Sequence, residues 1–351
     1  MISYKGKNIL VTGHNGFKGS WLCLLLRRLG ANVFGVSLEN HNSMLHFYTK
    51  NKTTKPCSEK IFSILDKNKL CDYMDEIKPD LIFHLAAQPI VFESYRDPYK
   101  TIETNIMGTV NVFEAARLID SVHGIVSIAT DKVYINNNWA WGYREIDPLG
   151  ADDPYSASKA AQEIITNSYA KSFFRPNNKV LCSARAGNVY GGGDLNEKRL
   201  IPDIYRAIVS GTSIELRNPN ATRPWVYVLD PLWGYILLGD KIFNGIDVSG
   251  PWNFGPDSSQ EFKVKDVLLL FKNKWGDSKI EEVLLSKTFP EQGRLKLDSS
   301  KAIENLDWHP LVNIEYGIEQ TVKWYQQFSK GVCIADHLID DYLSKTRIAF
   351  E

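Results

Sequence analysis

The chain has 351 residues, of which 44% are hydrophobic and 23% are charged, as in an ordinary globular protein of one or two domains. Its 41 basic and 41 acidic side chains cancel, which argues against nucleic acid or an anionic membrane as the main partner. No apolar run approaches a membrane span, no leader pattern opens the chain, and the five scattered cysteines form no CxxC pair. We therefore expect a cytoplasmic protein without disulfides or a metal site.

The first half of the chain alternates between short apolar runs and amphipathic segments. Strands are predicted at 8–12, 32–36, 80–85, 124–129 and 180–184, with a further strand near 60–64. Helices are predicted between them at 18–29, 67–77, 101–118 and 155–173. This alternation is typical of βαβ units, and it predicts an α/β protein with a Rossmann-type, doubly wound parallel sheet.

Glycine and proline become denser after residue 186, and the predicted helices become shorter, at 199–210, 230–241, 263–275, 298–306 and 314–328. This change predicts a smaller, mixed α/β C-terminal domain that binds a substrate. We assign 1–186 and about 224–256 to the first domain, and 187–223 and 257–330 to the second. Residues 331–351 are weakly patterned and are predicted to be a tail.

A glycine-rich loop, VTGHNGFKGSWL, joins the first predicted strand to the first predicted helix. Glycines in this setting let the backbone approach a pyrophosphate at the helix N-terminus. Glu39 lies 20 residues beyond Gly19, where an acidic side chain can hold a ribose hydroxyl. No arginine follows Glu39, which favours NAD over NADP, although Lys18 inside the loop speaks against that choice. The predicted cofactor contacts here are Gly13, Asn15, Gly16, Phe17, Lys18, Gly19 and Glu39.

Two polar motifs follow in the region where strand ends meet helix starts. YSASK places Tyr155 and Lys159 on one helix face, about 5–6 Å apart at Cβ. An ammonium near a phenol favours phenolate, so Tyr155 could take a proton from a sugar or steroid hydroxyl while hydride leaves for a nicotinamide. TDK places Thr130, Asp131 and Lys132 at a predicted strand mouth; taken alone, it is better explained as a strand end with solvated charges.

In this order, GxxGFKG, HLAAQ (84–88), TNIMGT (104–109), TDK and YSASK resemble the extended short-chain dehydrogenases/reductases, which are NAD-dependent and act on nucleotide-sugars. Further stretches narrow the resemblance, from about residue 7 to 328, to the CDP-glucose 4,6-dehydratases. These stretches are GFKGSWL, WAWGYRE (139–145), DPYSASK, RAGNVYGGGD (185–194), RNP with RPW (217–225) and WNFGP (252–256).

The resemblance implies a three-step reaction used in deoxysugar and surface polysaccharide synthesis: oxidation at C4, loss of water across C5 and C6, and reduction at C6. Tyr155 and Lys159 would serve the oxidation, with Thr130 on the 4-hydroxyl. Asp131 would be the general acid at C6, and burial would have to keep it protonated. Lys132 would act at C5, either as a neutral base or as a charged group that stabilises the enolate.

The resemblance also implies further binding residues. Cofactor contacts are expected at Ala86, Ala87 and Asn105, together with Tyr155 and Lys159. Substrate contacts are expected at Gln88, Asn188, Arg206, Arg217, Arg223 and Arg294, with Arg223 favoured because its guanidinium can bind two phosphate oxygens. The relatives pair through two helices, so we expect a homodimer or homotetramer formed by helices 101–118 and 155–173.

The chain departs from the family pattern in three places. Phe62 and Ser63 replace a Gly-Asp pair near the adenine, Tyr227 replaces a histidine, and Pro290 replaces another histidine. The last two affect the substrate domain and leave open which base and sugar are bound.

Three alternatives stay open at this point. The first is dehydration of another nucleotide-sugar, such as a GDP- or UDP-linked hexose or a heptose. The second is a 4-epimerase or 4-reductase, against which TDK argues because an epimerase needs no acid–base pair for C5 and C6. The third is a dinucleotide-binding sensor without turnover, against which the Tyr155, Lys159 and Thr130 set argues.

Overall fold

The computed structural model describes residues 4–52, 55–257, 261–276, 282–284 and 294–346. The strands are β1 (Asn8–Thr12), β2 (Asn32–Ser37), β3 (Ser58–Ile61), β4 (Leu81–His84), β5 (Gly124–Ile128), β6 (Val180–Ala186), β7 (Asn188–Tyr190), β8 (Ile214–Leu216), β9 (Thr222–Arg223), β10 (Trp225–Tyr227), β11 (Gly250–Phe254), β12 (Phe262–Lys263) and β13 (Glu282–Leu284). The helices are α1 (Phe17–Arg28), α2 (Met44–Asn51), α3 (Lys67–Ile77), α4 (Val91–Arg96), α5 (Pro98–Ile102), α6 (Gly108–Arg117), α7 (Pro154–Tyr169), α8 (Leu200–Ser210), α9 (Leu229–Phe243), α10 (Val264–Trp275), α11 (Ser300–Leu306), α12 (Ile314–Ser329) and α13 (Ala335–Lys345).

A parallel sheet of seven strands, in the order β11-β6-β5-β4-β1-β2-β3, forms the centre of the molecule. Its direction of winding reverses between β1 and β4, so a crevice opens beyond the carboxyl ends of these strands, where ligands bind in such folds. Both the α/β class and the Rossmann-type sheet predicted from the sequence are confirmed.

Alternating residues of the central strands supply two apolar layers. In β1, Ile9 and Val11 join the layer that contains α1 and α9, whereas Leu10 joins the layer that contains α3 and α6. Because strand side chains alternate between faces, a strand covered on both sides must be apolar throughout, which explains the unbroken run ILV in β1.

The chain differs from the predicted elements in a few places. The strand expected near 60–64 is β3, Ser58–Ile61. The helix expected at 101–118 is α5 and α6 joined by a π-helical segment, Glu103–Met107. Helices α2 and α4 were not predicted, being only eight and six residues long.

The C-terminal segment is the largest difference, because α13 forms where a weakly patterned tail was expected. Its Leu338, Ile339 and Tyr342 are buried, and the Tyr342 hydroxyl donates to Asp230 Oδ1 at 2.9 Å. This contact joins residues 112 positions apart, so no local pattern could reveal it. Pro290 and residues 347–351 lie outside the described residues, and the division into two domains remains a prediction.

No helix within the described ranges combines the length and apolar character needed to cross a membrane.

Candidate active site

A cavity of about 620 Å³ opens between the carboxyl ends of β5 and β6, helix α8 and the segment around β8. Of the predicted site residues, it is lined by Phe17, Lys18, Ala87, Thr130, Asp131, Lys132, Tyr155, Lys159, Asn188, Arg206, Arg217 and Arg223. The parallel sheet thus brings TDK and YSASK to one cleft, as the sequence predicts, because the carboxyl ends of its strands share one edge.

The TDK residues form the turn that follows β5. Thr130 caps a 3₁₀ turn, Asp131–Val133, and its hydroxyl donates to Asp131 Oδ1 at 3.0 Å. Asp131 is only 1% exposed, and among the described residues no hydrogen-bond partner is found for its Oδ2. Burial raises the pKa of Asp131, while the positive charge of Lys132 is the strongest influence that lowers it. The environment therefore favours the protonated form that a general acid needs.

Tyr155 lies in the first turn of α7, which directs it into the cleft. Asp153 caps this helix by accepting from the Ser156 backbone N–H at 2.9 Å, and Pro154 occupies the first helical position, which suits its fixed φ. Burial raises the pKa of Tyr155 to about 12, and the nearby Arg199 is the strongest influence that opposes the rise, ahead of a hydrogen bond with Thr130.

Lys159 follows one turn later on α7 and is 4% exposed. Its ammonium donates to the Ile128 carbonyl at 2.7 Å and to the side-chain oxygen of Gln162. Burial lowers the pKa of Lys159 to about 8, partly offset by the Glu163 carboxylate. The role of Lys159 beside the Tyr155 phenol stays a prediction, and Arg199 is a further cation that lowers the pKa of Tyr155.

The glycine loop packs so closely that side chains are excluded at two of its three glycines. A Cβ atom on Gly19 would lie 2.1 Å from the Gly13 carbonyl oxygen, and one on Gly13, at φ +73°, would lie 2.7 Å from the Ala86 backbone nitrogen. Gly16 is the N-cap of α1 and supplies no side-chain cap, so the first amides of the helix face outward. This cradle fits the pyrophosphate of a dinucleotide.

The predicted ribose contact lies at the exposed rim of this loop. Glu39 follows β2 and pairs with His41 at 3.0 Å. Asn15 spans the gap between the loop and β2 by donating to the Leu38 carbonyl at 2.7 Å. Both residues therefore lie beside the cradle rather than in the 620 Å³ cavity.

Lys18 and its neighbour Phe17 line the main cleft, unlike the glycines of the loop. Burial, followed by repulsion from Lys159 and Arg199, lowers the pKa of Lys18 to about 7. Its ammonium lies 5.8 Å from the centre of the Tyr235 ring. Lys18 therefore contributes charge to the reaction cleft as well as to the cofactor loop.

Two predicted ligand-binding residues lie in a buried amide network instead of the cavity lining. Asn105 Oδ1 accepts from the Gln88 backbone N–H at 2.8 Å, and Asn105 Nδ2 donates to Ser158 Oγ at 2.9 Å. The Gln88 side chain donates to Thr101 Oγ1 at 2.8 Å and to the Ile90 carbonyl at 3.1 Å. These amides tie the segment after β4 to α5 and α7.

The four predicted substrate arginines lie in different environments. Arg223, in β9, donates to the Thr222 carbonyl at 3.1 Å and lowers the pKa of Asp131. Arg217 donates weakly to the Lys198 carbonyl at 3.5 Å.

The other two predicted arginines are held by protein groups. Arg206 donates to the Leu195 and Asn196 carbonyls and pairs with Asp203. Arg294 pairs with Glu261 and is not among the residues that line the cavity.

Six charged residues that line the cleft were not predicted as site residues: Asp153, Asp194, Lys198, Arg199, Asp203 and Glu215. Arg199 donates to Asp194 Oδ2 at 3.2 Å, and Asp194 is buried. Asp194 ends the RAGNVYGGGD stretch, whereas Lys198 and Arg199 lie in none of the motifs identified in the sequence. Tyr227, which replaces a family histidine, is buried and is not part of the cavity lining. The centres of the Tyr227 and Tyr190 rings are 5.9 Å apart.

Comparison with known proteins gives consistent results. Residues 10–244 match the family model described as GDP-mannose 4,6 dehydratase. The chain is 39% identical to the CDP-glucose 4,6-dehydratase of Salmonella typhimurium over 98% of both chains.

Among solved structures, the epimerase Mth375 of Methanothermobacter thermautotrophicus matches with a TM-score of 0.81 at 24% identity, over 96% of this chain and 95% of the other. The dTDP-glucose 4,6-dehydratase of Bacillus anthracis, solved in complex with NAD, matches with a TM-score of 0.78 at 22% identity, over 93% of this chain and 98% of the other. At these identities the likeness establishes the fold alone.

Proposed function

The chain belongs to the GDP-mannose 4,6 dehydratase family, and we propose that it is an NAD-dependent hydro-lyase that converts CDP-glucose to CDP-4-dehydro-6-deoxyglucose and water. The observation that carries this proposal is the presence of Thr130, Asp131, Lys132, Tyr155 and Lys159 around one cavity. Oxidation alone requires only part of this set, whereas elimination also requires the acid and the base.

NAD, held by the glycine loop and the first turn of α1, would accept a hydride from C4 of the sugar and later return one to C6. Tyr155 takes the proton of the 4-hydroxyl, which Thr130 holds by a hydrogen bond. Because burial raises the pKa of Tyr155 to about 12, the phenol is neutral near pH 7 until cationic groups and the bound ligands favour its ionisation. Arg199 already opposes the rise, and the Lys159 ammonium, one turn along α7, is proposed as the further positive charge.

Elimination requires a proton to leave C5 and another to reach the 6-hydroxyl. The new keto group at C4 acidifies the C5 proton. Lys132 either removes this proton as a neutral base or, as an ammonium, stabilises the enolate that forms when the proton is lost. Asp131, favoured in its protonated form by burial, gives a proton to the departing hydroxyl, which leaves as water. Return of a hydride to C6 would complete the redox cycle, Lys132 or solvent returns a proton to C5, and exchange with solvent removes the proton from Tyr155 and restores the one on Asp131.

The identity of the nucleotide is proposed from the Salmonella relative, which is named for CDP-glucose. Arg223 and Asn188 line the cavity and are suited to its diphosphate, with Arg217 and Arg206 as further candidates. Arg294 is not among the residues that line the cavity, so a contact between Arg294 and the substrate would lie outside the cavity. The cytoplasm remains the predicted location.

The test is incubation of the purified protein with CDP-glucose, dTDP-glucose, UDP-glucose and GDP-mannose, with product analysis by NMR. A 4-keto-6-deoxy product, formed fastest from CDP-glucose with only catalytic NAD, is the expected result. A C4 epimer without loss of water would overturn the proposal in favour of an epimerase. Stoichiometric NADH would exclude a closed cycle, and absence of any turnover would support a non-catalytic binder.

A homodimer or homotetramer is proposed for the assembly. Apolar side chains are exposed on the two helical segments that the family pairs: Tyr99, Ile102, Met107, Ile164 and Phe173. Light scattering after gel filtration should show a mass of at least two chains, and Ile164→Lys should reduce it. Ile246→Lys, at another exposed apolar position after α9, is the control that should leave the mass unchanged.

A further inference from the structure

The Lys159 ammonium is held by two uncharged acceptors. It donates to the Ile128 carbonyl, at the last residue of β5, at 2.7 Å, and it donates to Gln162 Oε1 from one turn further along α7. A lysine ammonium has three donors, so these two contacts leave one for a ligand in the cleft. The position of the ammonium relative to the mouth of β5 therefore depends on Gln162.

Gln162 is itself fixed in one orientation. It is 2% exposed, and its Nε2 donates to Ser127 Oγ, on β5, at 2.9 Å. Because an ammonium can only donate, the amide oxygen must face Lys159, and the amide nitrogen must face Ser127. The amide thus bridges strand and helix and cannot turn without losing both bonds.

The carboxylate next to Gln162 cannot take its place. Glu163 accepts from Arg185 Nε at 2.9 Å and Nη2 at 3.1 Å, and from Ser183 Oγ at 2.6 Å. These donors occupy both of its oxygens and direct it toward β6. The Glu163 carboxylate influences Lys159 only through its charge, whereas Gln162 accepts a hydrogen bond from the Lys159 ammonium.

We propose that Gln162 is a positioning residue for the oxidation step, which holds the Lys159 ammonium at the mouth of β5 and keeps it charged. The part of the proposal that concerns catalysis rests on the function proposed above. The effect of Gln162 on Lys159 itself does not depend on which sugar is bound.

The charges around Lys159 make such a partner necessary. Lys18, on α1, repels it, and burial together with Lys159 lowers the pKa of His84 on β4 to about 3, so that the imidazole is neutral. Tyr155 on α7 is a neutral phenol near pH 7. The remaining anion, Glu163, is shared with Arg185.

The test measures the protonation of Lys159 directly by NMR titration of protein labelled in its lysine side chains, purified with NAD, with the signal assigned by its loss in Lys159→Met. In Gln162→Met, which keeps length but lacks a strong acceptor, the pKa of Lys159 should fall from about 8 by about one pH unit. In Gln162→Glu it should rise by at least about as much.

Thr166→Val is the matched control, because Thr166 is buried on the same helix. Its hydroxyl donates to the backbone carbonyl of Gln162 at 2.8 Å and not to the side-chain amide that holds Lys159. The Thr166→Val variant should leave the pKa of Lys159 unchanged. Ser127→Ala removes only the anchor of the Gln162 amide and should lower the pKa in the same direction by less, which keeps the test available if Gln162→Met does not fold.

The pH profile of C4 oxidation should follow these changes. Its alkaline limb, where Lys159 loses its charge, should move to lower pH in Gln162→Met and to higher pH in Gln162→Glu. An unchanged pKa of Lys159 in both Gln162 variants, or an equal change in Thr166→Val, would overturn the proposal. Altered titration without turnover on any nucleotide-sugar would instead reject the proposed function and retain the role of Gln162.

Discussion

The cleft at the end of β5 and the region beneath α13 each contain a buried aspartate. Asp131 is 1% exposed and Asp230 is 0% exposed. Each has an Oδ2 atom for which no hydrogen-bond partner is found among the described residues. Burial raises the pKa of both, in Asp230 to about 7. By burial and the direction of the pKa shift alone, both carboxyl groups would be candidates for a general acid.

Their neighbours separate them. Asp131 lines the cleft next to Thr130 and Lys132. Asp230 lies in the first turn of α9 and binds the segment before α12 and helix α13. Asp230 Oδ1 accepts from the Leu311 backbone N–H at 3.0 Å and from the Tyr342 hydroxyl at 2.9 Å. A raised pKa therefore indicates desolvation, and only access to a ligand turns a desolvated carboxyl group into a candidate catalyst.

The largest expected effect in the cleft is that of Tyr155→Phe, which removes the group that takes the 4-hydroxyl proton. Oxidation should fall by about 10⁴-fold, at the upper end of general-base effects, while binding of nucleotide-sugar is retained. Single-turnover absorbance of bound NADH and calorimetric titration are the measurements. Tyr99→Phe, at an exposed position, should behave as wild type, and near-normal turnover by Tyr155→Phe would reject the assigned base.

Asp131→Asn and Lys132→Met should each reduce turnover by about 10²–10⁴-fold, because each removes one proton transfer from the elimination. Both keep Tyr155, Lys159 and Thr130, so enzyme-bound NADH should accumulate in a single turnover with little deoxysugar. Asp230→Asn is the control for Asp131→Asn and should retain normal kcat.

Exchange in heavy water sharpens the division of roles between Asp131 and Lys132. Wild-type product should carry deuterium at C5. Lys132→Met should exchange C5 much more slowly than Asp131→Asn, since only Lys132 is assigned to that carbon. Equal exchange in the two variants would contradict the assignment, and normal turnover by Lys132→Met would mean that another residue is the base.

Arg223→Met should raise KM by about 10–100-fold with a smaller change in kcat, as expected when a charged hydrogen bond to substrate is lost. Arg206→Met should raise KM less, because its guanidinium is already held by the Leu195 and Asn196 carbonyls and by Asp203. Steady-state kinetics with CDP-glucose compare the KM values of the two variants. Equal increases in KM would contradict the prediction that Arg223 binds the substrate more strongly than Arg206 does.

The smallest effect on turnover and a clear effect on stability are expected for Asp230→Asn. The folded protein binds the Asp230 proton more tightly than the unfolded chain does, since the pKa rises from 3.8 to about 7. The associated stability is present below about pH 4 and is lost as the pH rises through about 7, with a magnitude on the order of 4 kcal/mol. Denaturant unfolding between pH 4 and 8 should therefore show a weaker pH dependence in Asp230→Asn than in wild type.

Much of the fold could be predicted because its information is local. The apolar runs of β1, β4 and β5 mark strands covered on both sides, and the helices between them have clear periodicity. The grouping of TDK and YSASK followed from one rule of parallel sheets, that strand carboxyl ends share an edge. The family motifs added the order of the chemistry and the assignment of Asp131 and Lys132.

Contacts between distant segments could not be predicted in the same way. Helix α13 depends on Tyr342 meeting Asp230, and Arg199 influences Tyr155 across the cleft. Gln88, for which a substrate contact stays a prediction, is held by Asn105 and Thr101. In each case the deciding partner lies too far along the chain for its type or spacing to be informative.

The sequence by itself determined the alternation of strands β1–β6 with the main helices between them, the glycine cradle and the residue types at the mouth of β5, because periodicity, backbone freedom and side-chain chemistry are local properties. Only the tertiary structure decided in which direction the pKa values of these groups are shifted. Asp131, Lys159 and Lys18 have shifted proton affinities because packing excludes water around them and brings charges from other segments close. Desolvation and charge proximity belong to the folded protein, and they separate a catalytic carboxyl group from a structural one.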